Sequence, residues 1–158
     1  MDWLAALERT GLATAVRTAP WLYPAVEIVH LAGIALLVGG AALFDLRLLG
    51  LGRTLPARAL GRHLLGWSRR SLALVVPSGA LLFSAHAVEL SRNPAFRVKL
   101  LLLAAAAANA LLFHAGTARR MASWDEGARA PLAARAAACV SLAAWAGVIA
   151  CGRMIAYL

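Results

Sequence analysis

Residues 21–40 read WLYPAVEIVHLAGIALLVGG. Almost every side chain in the run belongs in hydrocarbon, yet Glu27 and His30 stand three positions apart, on one face of a helix. Pro24 suits a first helical turn, where its missing N–H is not needed. The apolar run continues to Leu49, so the first expected span, about 23–49, exceeds the roughly 20 residues that cross a bilayer.

The rest of the chain keeps that character. Of its 158 residues, 62% are hydrophobic, and the mean hydropathy is +0.74. A water-soluble domain of this length needs more polar surface, so the composition indicates an integral membrane protein embedded in a lipid bilayer. Three further spans are expected at about 70–90, 94–117 and 131–157. The fold class is therefore all-α: one membrane domain over 1–158, a four-helix bundle with a short N-terminal amphipathic helix. Trp3, Leu4, Leu7 and Leu12 give that first helix its apolar face. Acidic Asp2 and Glu8 do not fit the basic start of a cleavable signal peptide.

Between the first two spans, Thr54 with Pro56 reads as the start of a short interfacial helix. It leads into the second span, which Pro77 and Gly79 are expected to bend. Asn93 and Pro94 supply a cap and a first turn for the third. The segment 118–131, ARRMASWDEGARAP, reads as a polar loop. Cys139 and Cys151 are twelve residues apart, about 18 Å along one helix, too far for a disulfide. Neither belongs to a CxxCH motif, so covalent haem attachment has no support.

The net charge of +9 does not indicate nucleic acid, because the arginines fall between apolar runs and form no basic face. They read as topology instead. Nine cations (Arg53, Arg58, Arg62, Arg69, Arg70, Arg119, Arg120, Arg129, Arg135) lie in the gaps after spans one and three, against six on the other side. The excess puts those gaps in the cytoplasm and both termini on the outer, periplasmic side.

An ionisable group inside a bilayer costs about 3 kcal/mol, so each one needs a reason. His30 lies six residues beyond Pro24, about 9 Å deep at the helical rise. His86, four residues before Leu90, is about 6 Å deep from the same side. His114 is about 30 Å beyond Pro94 and shares the opposite half with His63. Two imidazoles per half would suit one or two haem b groups, with His30, His86, His114 and His63 as iron ligands. Arg47, Arg69, Arg70, Arg119 and Arg153 could pair with propionates, and Arg47 and Arg153 could instead snorkel to headgroups. Glu27 then orients His30, and Asn109 makes an interhelical hydrogen bond beside His114. His63 and His86 are 23 residues apart, about 140° around an ideal helix, so both enter one core only if that helix breaks. Gly33, Gly39, Gly40, Gly66 and Gly79 leave room for a porphyrin or serve as packing notches.

The phrases 21–53, 93–114 and 146–158, with Glu27 and His30, Asp45-Leu46-Arg47, Asn109 with His114, and Gly152-Arg153, resemble a family of small four-span bacterial inner-membrane proteins of unknown function. The similarity covers nearly the whole chain and implies inner-membrane localisation. More loosely, the layout is similar to four-helix b-type cytochromes and to the membrane domains of copper-resistance proteins. The expected function is a haem-binding electron-transfer subunit, with a quinone and a redox protein as partners. The alternatives are an assembly subunit, self-associating or packed on a larger complex, or a metal- or proton-handling protein using Glu27, His30 and Asp45. No stand-alone catalytic motif is present.

Overall fold

The computed structural model describes residues 2–124 and 129–157, without the side chains of Asp2, Arg119, Arg120, Ala122 and Ser123; the chain is all-helical, with no strand among those residues. The seven α-helices are α1 (Asp2–Glu8), α2 (Gly11–Thr18), α3 (Leu22–Leu49), α4 (Ala57–Ala85), α5 (Ala87–Arg92), α6 (Pro94–Ala115) and α7 (Leu132–Met154). A 3-10 helix, Thr117–Trp124, occupies the first part of the expected 118–131 loop, whose Asp125, Glu126, Gly127 and Ala128 lie outside the described residues. The side chain of Arg119, an expected propionate partner, lies outside the described side chains as well.

Three helices, α3, α6 and α7, are long and apolar enough to cross a membrane. Their outward faces stay apolar: Leu101, Leu111 and Leu112 on α6 are 71%, 72% and 75% exposed. Such surface is stable only against lipid or another protein. α6 starts as its sequence requires. Asn93 Oδ1 accepts from the amides of Ala95 (2.9 Å) and Phe96 (3.2 Å), with Pro94 in the first turn. α3 ends at Gly50, whose φ of +120° suits a residue without Cβ and lets the Gly50 amide reach the Leu46 and Arg47 carbonyls.

Two boundaries differ from the sequence reading. The N-terminal segment is a pair of short helices, because Thr10 caps α2 through the Ala13 amide and donates to the Leu7 carbonyl. The expected interfacial helix and second span are one unbroken helix, α4, of 29 residues. Gly66 faces open space and does not interrupt the ladder. Pro77 sits inside α4 and removes one donor, that for the Ala73 carbonyl. The break comes later, at His86 (φ −140°, ψ 41°).

α3 and α4 pack most extensively, then α6 and α7, then α3 and α7, whereas α4 and α6 barely pack. Phe83 and Phe96 stack at 5.4 Å where the last two approach. The α3–α4 pair is antiparallel and interlocked through glycine. A Cβ on Gly33 would lie 2.7 Å from Val75, one on Gly61 2.9 Å from Phe44, and one on Gly40 2.9 Å from the Leu64 carbonyl oxygen. Small residues allow this approach, which is how helices associate where no water drives them together. At the far end, Phe44, Leu48, Phe113, Met121, Trp124, Ala134 and Ala138 form the main apolar cluster.

Candidate functional site

The seam between α3 and α4 carries polar groups along its length. His30 on α3 lies over Gly79 of α4, with its Cε1 where a Gly79 Cβ would approach within 2.9 Å. Its Nδ1 is 2.9 Å from Ser78 Oγ. The Ser78 hydroxyl spends its own hydrogen on the Leu74 carbonyl, so it accepts from His30 Nδ1–H. That makes Nδ1 a proton donor, and the Val75 backbone is a further hydrogen-bond partner of the ring. Lys99, from α6, is close enough for its charge to act on the same ring, as is Glu27.

Further along the seam, Ser71 and Ser68 are buried, and the Ser71 hydroxyl donates to the Ser68 carbonyl at 2.7 Å. Ser68 Oγ sits against Gly40 and has no hydrogen-bond partner. Asp45, on the side of α3 that meets α7, is 7% exposed; Ser141 of α7 bonds to its carboxylate, while Oδ2 has no partner. From Glu27 to Asp45 is 18 residues, about 27 Å of helix, close to the thickness of a hydrocarbon core.

A second polar region forms where α4 breaks. Arg17 Nη1 donates to the Ala85 carbonyl at 3.2 Å, and Glu8 Oε1 accepts from the Val88 amide at 2.8 Å. A cation thus caps the end of α4 and an anion the start of α5, each with the sign the local dipole favours. His86 stands between them, with Tyr23 edge-on at 5.9 Å and Glu89 at 3.8 Å. These groups border a cavity of about 570 Å³ that Arg92 and Asn93 complete.

The expected ligand histidines occupy four separate settings. His30 is half-buried in the seam and His86 half-buried at the break. His114 is exposed and donates Nδ1–H to the Ala110 carbonyl at 2.7 Å; His63 is exposed on α4. No described contact joins any two of them, and no group of three or more His, Cys, Asp or Glu among the described residues could hold a metal ion. Glu27 is exposed, near the start of α3. Arg153 donates to Tyr157 Oη at 2.7 Å and lies over its ring. Asn109 donates to the Ala137 carbonyl at 3.0 Å, the interhelical bond its position implied.

Arg47 does not snorkel. It is 2% exposed, with Nε 2.7 Å from the Leu55 carbonyl and Nη2 3.1 Å from that of Arg53. It ties down the loop after α3.

Sequence reasoning passed over Ser68, Ser71 and Ser78, whose spacing of three and seven was a legible helical stripe. It counted Lys99, Glu8 and Arg17 only as charges. Their roles depend on partners up to 80 residues away, which no local pattern encodes.

Comparison with known families places the chain. A family model described as a family of unknown function, DUF6644, matches residues 11–158, and the chain belongs to that family. No curated protein and no solved structure matches it.

Proposed function

We propose that this DUF6644 member is a proton-relaying membrane protein, with α3, α4, α6 and α7 as four spans of a bundle and both termini on the outer side. The observation that carries the reading is a pair of buried groups, the acid Asp45 on the α7-facing side of α3 and the hydroxyl Ser68 in the α3–α4 seam, each with a polar atom without a partner. Buried groups left so cost about 1–3 kcal/mol each, and membrane proteins keep them where protons or water must pass. Glu27 collects a proton at the outer mouth and His30 passes it on. Water bridges the gap to Ser71 and Ser68, and Asp45 receives the proton near the inner mouth.

The test is proton uptake into proteoliposomes holding a pH-sensitive dye, driven by a potassium diffusion potential. Uptake above protein-free vesicles is expected, cut on the order of tenfold by Asp45→Asn or His30→Ala. Uptake equal to empty vesicles from well-folded protein overturns the reading.

A second reading keeps the haem-binding electron-transfer role, with quinone and redox protein as partners. It is favoured by one detail: His30 and His114 both donate Nδ1–H to the protein, the arrangement found in metal-bound histidine. The exposed His114 ring would then meet iron at a contact between copies of the chain. A reduced-minus-oxidised visible spectrum that disappears in His114→Ala would favour it over the relay.

A further inference from the structure

At the end of the helices opposite His86, a cavity of about 210 Å³ is lined by Arg47, Arg53, Arg129 and Arg135, with Gly50 and Ala130 between them. Three separate segments deliver these arginines: the end of α3 and its loop, the stretch before α7, and the first turn of α7. Among the described residues no carboxylate lines it. The Arg53 guanidinium folds back over Gly50, within 2.9 Å of where a Cβ would stand, so the turn keeps it at the mouth. The Leu55 and Arg53 carbonyls hold the Arg47 side chain in the wall.

We propose that this cavity binds a phosphate group, carried by an anionic lipid headgroup or free in solution. Planar guanidinium forks match phosphate oxygens two at a time, and those of Arg53, Arg129 and Arg135 line one small space from three segments. The volume is ample for one phosphate with a small substituent. The position, at the end of two apolar helices, lies where headgroup phosphates sit.

The experiment uses the full chain in nanodiscs of phosphatidylcholine alone or with phosphatidylglycerol, with retained lipid measured by native mass spectrometry and inorganic phosphate titrated separately. Retained phosphatidylglycerol, or saturable phosphate binding to the phosphatidylcholine sample, is expected; the first assigns a lipid headgroup and the second a free ion. Arg129→Gln and Arg135→Gln should each weaken binding about tenfold, with Arg135→Lys intermediate because it keeps charge but loses the fork. Arg92→Gln, at the opposite end, should change nothing. Neither ligand held more tightly than by the Arg129→Gln/Arg135→Gln double variant overturns the proposal. So does binding that arises only after Asp125→Asn and Glu126→Gln, since the chain's own carboxylates would then be the occupant.

Discussion

Asp45 and Arg47 show how much one position decides inside a membrane. Two residues apart on α3, they point to different neighbours: Asp45 to Ser141 on α7, Arg47 to the loop carbonyls of Arg53 and Leu55. Asp45→Asn preserves shape and one hydrogen bond while removing a charge that is only half-satisfied. The expected unfolding temperature in detergent is therefore unchanged or higher, although the relay is lost. A marked drop would mean the carboxylate is structural. Arg47→Ala is expected to go the other way, costing on the order of 3 kcal/mol by abandoning two carbonyls and emptying a buried volume. Hydrogen exchange across residues 50–55 should quicken accordingly.

Among elements, the α3–α4 seam is the informative case. Gly40→Ala drives a methyl against the Leu64 carbonyl, a backbone atom that cannot step aside, and should cost about 1–3 kcal/mol. Gly39→Ala, one residue along, meets nothing and should be neutral or stabilising by up to about 1 kcal/mol. Thermal unfolding of the two variants side by side decides; equal losses would mean the helices do not interlock there. The N-terminal hairpin gives a second test. Glu8→Gln and Arg17→Ala should each weaken a helix cap by about 1 kcal/mol and raise hydrogen exchange over residues 2–18. Here the limits of sequence are visible. α3, α6 and α7 were legible as apolar runs, and Asn93 with Pro94 marked the start of α6. α4 was not, because Arg58, Arg62, Arg69, Arg70, Gly66 and Pro77 all read locally as interruptions, and packing on α3 overrides them. Counting residues put His30 and His86 at nearly one height, whereas His30 lies against Gly79, seven residues short of His86, and His86 meets Tyr23. Nor could counting give azimuth, which decides that His30 meets α4 and that His114 looks outward.

For the molecule as a whole, the proposed topology places the loop after α3 and the turn before α6 on opposite sides of a membrane. In a background with Cys139→Ala and Cys151→Ala, a thiol at Thr54→Cys should resist a membrane-impermeant maleimide applied from outside, and one at Arg92→Cys should react. Labelling of both from one side would remove α4 as a spanning segment. The apolar outer face of α6 predicts that the isolated chain stays dispersed only with detergent or lipid. One feature of α4 reaches across all of this. Pro77 leaves a rung missing from the ladder one residue before Ser78, the acceptor of the His30 proton. Bending concentrates at such a point. The upper half of α4, with His86 and the clamped hairpin, joins the imidazole through that point, so flexing the rod strains the Ser78 bond that helps orient the ring.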